Sequence, residues 1–119
     1  MNKPDASIGR DLPAPHEEPH RFTFLNPDGG EIYRPGSHVA IYWTGGPTLP
    51  QTVDISLVDI QAWRVVVAIV GRYENVSPIG KYVWTIPAGF PFDPTHDYQV
   101  YIEDSARTTW TYGPQFKIP

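Results

Sequence analysis

The sequence contains no cysteine among its 119 residues, and this absence excludes several kinds of site. Without thiols the chain has no disulfide bonds, no thiolate zinc site, no iron–sulfur cluster and no cysteine nucleophile. Positive charge is also scarce, because nine Lys and Arg residues stand against thirteen Asp and Glu residues, giving a formal net charge of −4. The basic residues are scattered along the chain, so we expect no nucleic-acid partner.

Long hydrophobic runs are lacking as well. No stretch approaches the roughly 18 apolar residues that indicate a membrane-spanning helix, so we expect no membrane partner. The beginning of the chain, residues 1–5, is polar and has no apolar signal region, and it therefore predicts no secretory signal. Either the protein is used without this export route, or a signal has been removed and a start Met added.

Proline is abundant, with 14 residues, and glycine contributes another 10. Proline breaks helix interiors, so this composition argues against a mostly helical protein. The hydrophobic content of 40% and the aromatic content of 13% are sufficient for a packed core, which argues against general disorder. Length and composition together favour one compact β domain with many turns.

The chain divides into two parts of different character. Residues 1–21 contain four prolines and seven charged residues without helical or strand periodicity, which predicts an extended N-terminal arm. Residues 22–119 carry the pattern of a folded domain. The arm is either a mobile leader or a segment that becomes ordered on a partner, with Ile8 and Leu12 as its large aliphatic side chains.

The second part alternates between short apolar runs and turn signals rich in Gly, Pro and Asn. This spacing predicts an Ig-like antiparallel β-sandwich of about seven strands. Trp43 and Trp84 lie on alternating apolar faces and are predicted to be core residues. Tyr98 opens a strand after a turn, which is typical of a tyrosine corner whose hydroxyl bonds to the backbone. The predicted strands lie in segments 22–25, 32–33, 37–43, 53–57, 82–84, 98–102 and 116–118.

Residues 63–70 differ from the other runs because both faces are apolar except at Arg64. An exposed edge strand of this kind promotes aggregation, so we expect its second face to be covered. Either a loop or the arm of the same chain covers it, or it forms an interface with a second subunit or another protein. The candidate partner-docking residues are Ile8, Leu12, Trp63, Val66, Ala68 and Val70.

Three segments carry a resemblance to a known family: Gly-Lys-Tyr-Val-Trp-Thr-Ile-Pro at 80–87, Asp-Tyr-Gln-Val-Tyr-Ile at 97–102 and Gly-Pro-Gln-Phe-Lys-Ile at 113–118. With Tyr33, Gly36 and the alternation up to Trp43, they resemble the Ser/Thr-rich GPI-anchored membrane protein family over about residues 22–118. This family is also described as the yeast cell-wall synthesis domain linked to β-1,6-glucan assembly. The resemblance implies an Ig-like, non-catalytic surface module, with no catalytic residues to carry over.

One motif suggests an enzyme but lacks the required context. His16-Glu17-Glu18-Pro19-His20 matches the H-E-x-x-H signature of zinc metalloproteases, in which both histidines must lie one helical turn apart. Pro19 disfavours helical backbone inside the motif, so we expect no zinc site there. The loop 93–97 contains two aspartates and a histidine, and Asp beside Pro is more typical of a turn than of a calcium site. We therefore expect no enzymatic activity, no cofactor and no bound metal.

Two functions remain open at this point. The leading hypothesis is a structural or interaction module on the surface of a larger assembly, such as a bacteriophage capsid decoration or accessory protein that docks through its arm. The alternative is a β-glucan-binding module of a secreted or cell-wall-associated protein, because exposed aromatic rings can stack on sugars. The expected location is accordingly a virion or an extracellular surface. The candidate glycan-stacking residues are Trp63, Phe90, Phe92 and Trp110.

Overall fold

The computed structural model describes residues 12–13 and 21–119, and these contain seven β-strands. Within these residues no helix is long and apolar enough to cross a membrane. The predicted arm, residues 1–21, therefore lies mostly outside the described part of the chain. The strands are β1 (Phe22–Asn26), β2 (His38–Gly45), β3 (Gln51–Asp59), β4 (Arg64–Asn75), β5 (Gly80–Thr85), β6 (Tyr98–Asp104) and β7 (Trp110–Tyr112).

The strands form two antiparallel sheets that pack face to face. One sheet has the order β1-β2-β5 and the other has the order β4-β3-β6-β7. The predicted Ig-like β-sandwich is thereby confirmed. The main core lies between the sheets and includes Trp43, Trp84 and Tyr98, which are 0%, 5% and 2% exposed. The Tyr98 hydroxyl accepts a hydrogen bond of 2.8 Å from the backbone N–H of Asp93, as a corner tyrosine does.

Three predicted details of the strand pattern differ from the structure. Segments 32–33 and 116–118 form no full strands and contribute only single bridges, Ile32 with Lys117 and Tyr98 with Phe116. Prolines and glycines flank both segments and limit ladder formation. Conversely, β7 was not predicted as a strand, because three residues are too few to show an alternating pattern.

Strand β4 explains why residues 63–70 are apolar on both faces. Its pairing with β3 shifts register at three places, between Val53 and Ile55, between Ile55 and Ser56, and between Leu57 and Val58. Such bulges interrupt the strict two-residue alternation of side chains. As a result, side chains 66, 67, 69 and 70 pack against the main core, whereas side chain 65 belongs to a second cluster on the outside of the sheet.

The packing of Trp43 depends on two neighbours. Gly80 lies opposite Trp43 in the β2–β5 ladder, and a Cβ atom at Gly80 would come within 2.1 Å of the indole ring. The Trp43 Nε1–H donates a 3.2 Å hydrogen bond to Gln51 Oε1, and the Gln51 amide donates to the carbonyls of Gly45 and Pro47. This buried glutamine therefore joins the core tryptophan to the β2–β3 loop.

Candidate functional site

The turn between β3 and β4 places a tryptophan at the surface. Asp59 closes this turn: its carbonyl accepts the N–H of Trp63 at 2.7 Å, and its Oδ1 accepts the N–H of Ala62 at 3.1 Å. Trp63 has a φ angle of 53°, in the left-handed region that favours glycine and asparagine. Its side chain remains 41% exposed. The turn therefore holds a large apolar ring at the surface in a backbone conformation that is costly for it.

The exposed ring of Trp63 belongs to a row of three aromatic rings across the sheet. Its centroid lies 5.2 Å from that of Tyr112, with an angle of 33° between the rings. The Tyr112 ring in turn lies 4.8 Å from that of Tyr101, at 37°. We call Trp63, Tyr112 and Tyr101 the aromatic row. Its contacts restrict the orientation of the Trp63 ring without burying it.

Below the aromatic row, the outer face of the four-stranded sheet is apolar. Val58, Val65 and Tyr101 are at most 1% exposed, although they point away from the main core. Three partly buried side chains pack on them, and with them they form the outer-face cluster: Val58, Val65, Tyr101, Leu12, Trp110 and Tyr112.

The N-terminal part of the chain contributes directly to this cluster. Leu12 packs against it, and the Tyr112 hydroxyl donates a hydrogen bond to the carbonyl of Pro13. Partial burial of a leucine contributes ~1–2 kcal/mol and one hydrogen bond ~1 kcal/mol. Ordering the backbone of two residues costs ~2–4 kcal/mol. Within the described residues, these contacts and the cost of ordering Leu12 and Pro13 are therefore of similar size.

A polar network supports the same turn from the other side. Asp59 Oδ2 lies 2.8 Å from Nδ1 of His96, and Nε2 of His96 lies 3.2 Å from Asp93 Oδ2. The hydrogen bond to Asp59 and the nearby carboxylates raise the pKa of His96 above its usual value. Hydrogen bonds from Thr95 lower the pKa of Asp93. These contacts hold the loop before β6 against the β3–β4 turn.

The neighbouring Asp97 is fully engaged in structural contacts. Lys117 Nζ and Gln61 Nε2 lie 2.8 Å and 3.3 Å from its carboxylate oxygens and lower its pKa. Within residues 12–13 and 21–119, no group of three or more His, Asp or Glu side chains is placed to hold a metal ion. The H-E-x-x-H match at 16–20 lies outside the described residues.

The predicted glycan-stacking residues lie in two separate places. Trp63 and Trp110 both lie on the outer side of the four-stranded sheet, next to Tyr112. Phe90 and Phe92 lie in the loop before β6, with their rings 4.7 Å apart. The Phe92 ring also meets the core ring of Tyr98 edge to face at 5.6 Å, so Phe92 packs against the main core.

The candidate docking residues are similarly divided. Val66 and Val70 are partly buried against the core of their own chain, whereas Ala68 and Trp63 are exposed. Leu12 packs on the outer-face cluster, and Ile8 lies outside the described residues.

The sequence alone gives Tyr101 no role in the candidate site. The alternation of β6 was the available signal for Tyr101. Val100 and Ile102 face the core, so Tyr101 between them faces outward.

The comparisons with known proteins agree with this architecture. No curated protein matches the sequence. The family model described as the Kre9/KNH-like N-terminal Ig-like domain matches residues 26–118, which include all or part of every strand. The chain therefore belongs to the family of Kre9/KNH-like N-terminal Ig-like domains.

Proposed function

We propose that this domain is a non-catalytic module that binds a cell-wall β-glucan through the exposed face of Trp63. The observation that carries the proposal is the combination of left-handed backbone and surface exposure at this tryptophan. A left-handed conformation costs a non-glycine residue ~1–2 kcal/mol. Backbone strain of this kind clusters at functional sites, where the side chain is needed for something other than folding.

The surroundings of the ring suit a sugar ligand. The face of an aromatic ring carries negative charge density, which attracts the slightly positive C–H groups on the apolar side of a pyranose. Tyr112 supports Trp63 from behind and reduces the freedom that the ring would lose on binding. Arg64, the first residue of β4, is exposed next to this turn and offers a guanidinium group to sugar hydroxyls.

The family assignment supports this alternative over the leading sequence-based hypothesis. The sequence resemblance links the yeast members of this family to β-1,6-glucan assembly. The family match therefore favours an extracellular or cell-wall location. The expected role as a capsid decoration protein, and a virion location, receive no support from the match. A protein partner on residues 63–70 would contact mainly Ala68 and Trp63, because Val66 and Val70 pack against the core.

The test is a binding measurement with a variant that removes the ring and suits the backbone. The variant Trp63→Asn places at this position a residue that tolerates positive φ. Ile32→Asn, at a side chain that is 70% exposed near the end of the sandwich, is the matched control. Isothermal titration calorimetry with soluble β-1,6-glucan and β-1,3-glucan oligosaccharides compares both variants with the original protein.

We expect the original protein and Ile32→Asn to bind one of the two glucans equally well, and Trp63→Asn to bind it at least tenfold more weakly. Equal binding by Trp63→Asn would show that the sugar site lies elsewhere. Absence of binding to both glucans by the original protein would refute the proposed function.

A further inference from the structure

The outer-face cluster is buried although it lies outside the sandwich. Val58, Val65 and Tyr101 have almost no exposure, yet a sheet face that points away from the main core normally carries polar side chains. In the described residues, Leu12 and Pro13 are the part of the chain before β1 that contacts this face. The apolar side chains of this sheet face therefore match the apolar segment that covers them.

Strand β7 contacts the N-terminal part of the chain through side chains on both faces of the strand. The Thr111 hydroxyl accepts the N–H of Phe22 and donates to its carbonyl, both at 3.0 Å, where β1 begins. The next residue, Tyr112, points to the opposite face and donates to the carbonyl of Pro13. The contacts of Leu12 and Pro13 are therefore separate from those that hold β1.

We propose that Leu12–Pro13 is a strap that competes with the glucan for the outer face of the four-stranded sheet. With the strap in place, the glucan stacks on Trp63 alone. When the strap leaves, the stacking surface extends from Trp63 to Tyr112 and Trp110. This inference rests on the proposed function and adds its regulation.

The chemistry of the strap resembles that of the ligand it would exclude. The strap offers an apolar side chain to the cluster and a carbonyl oxygen to the Tyr112 hydroxyl. A pyranose offers an apolar C–H face and hydroxyl oxygens, so it replaces both contacts without leaving the tyrosine hydroxyl unpaired.

Within the part of the chain that the structure describes, the strap contacts the sheet through the partly buried Leu12 side chain and through the hydrogen bond from Tyr112 to Pro13. Tyr112 lies next to the exposed ring of Trp63. A glucan that binds the open form more tightly than the closed form loses apparent affinity as the population of the closed form rises. Weakening the strap should therefore tighten glucan binding.

The experiment uses the full chain with Leu12→Asp and the milder Leu12→Ala, and both variants leave the aromatic row and the main core unchanged. Leu25→Asp is the matched control, since Leu25 is 47% exposed in β1 of the other sheet. Calorimetric titration with the same β-1,6-glucan and β-1,3-glucan oligosaccharides gives the Kd, and far-ultraviolet circular dichroism verifies folding.

We expect Leu12→Asp to tighten the Kd by about three- to tenfold, Leu12→Ala to tighten it less, and Leu25→Asp to leave it unchanged. An unchanged or weaker Kd in both Leu12 variants overturns the strap and leaves the proposed function standing. If neither the original protein nor any variant binds either glucan, the proposed function and the strap are both refuted.

Discussion

Replacing Trp63 by asparagine should leave the protein folded, and the expected change in stability follows from the structure. A tryptophan buries about 150–250 Å² when enclosed, and with 41% exposure Trp63 removes ~100 Å² of apolar surface from water. At ~25 cal/mol per Å², losing this contact costs ~2.5 kcal/mol. Relief of the left-handed backbone, at φ 53°, returns ~1–2 kcal/mol, because asparagine tolerates this region.

The net expected loss is therefore ~1 kcal/mol, which is small against the ~5–15 kcal/mol that stabilises an ordinary domain. Urea denaturation, followed by the fluorescence of the remaining tryptophans, measures this difference. Trp63→Gly serves as a second variant, since glycine removes the strain completely. It should unfold at nearly the same urea concentration as Trp63→Asn.

A loss above ~3 kcal/mol in both variants would contradict the reasoning, because it would make Trp63 a structural anchor. The strain at its backbone would then serve packing rather than binding. With the predicted small loss, a defect in glucan binding can be assigned to the missing ring itself.

Three further predictions concern the scaffold. Gly80→Ala should lower the free energy of unfolding by ~1–3 kcal/mol in urea denaturation, because the added Cβ would overlap the Trp43 ring; a neutral effect would mean that this ring shifts freely. Gln51→Ala should cost ~2–4 kcal/mol in the same assay, since it leaves the Trp43 N–H and two loop carbonyls without their partner; a loss below ~1 kcal/mol would show that water replaces the amide. The raised pKa of His96 means that protonation favours the folded state, so its stabilising effect is complete below the unfolded pKa near 6.5 and disappears as pH rises through the higher folded value. Stability should therefore fall as the pH rises above about 6.5, and His96→Asn should reduce this dependence; an NMR titration placing the pKa of His96 below 6.5 would contradict it.

The turn between β3 and β4 shows which features the local sequence predicts and which it does not. The sequence predicts that residues 63–70 differ from a half-buried strand, and it makes Trp63 both a docking and a stacking candidate. The sequence does not show why both faces of this segment are apolar, because the reason lies in register shifts of β4 against β3. Register depends on how two distant segments pair, and no single segment encodes it.

The candidate site also depends on contacts between distant segments, which the local sequence does not show. Trp63 and Tyr112 are 49 positions apart, and their rings meet only because the turn before β4 and the edge strand β7 reach the same side of one sheet. The proline-rich composition of residues 1–21 predicts an extended segment, but it does not predict where that segment lies. Leu12 and Pro13 contact the outer-face cluster through a hydrogen bond that spans 99 positions.

The amino-acid sequence by itself determined the β-sandwich, its family and its buried tryptophans, Trp43 and Trp84. Alternation of apolar side chains and the backbone demands of Gly and Pro act within a few residues, so they can be read along the chain. Only the tertiary structure decided the aromatic row, the outer-face cluster and the contact with Leu12–Pro13. These depend on strand order and on contacts between distant residues, which form when the whole chain packs together.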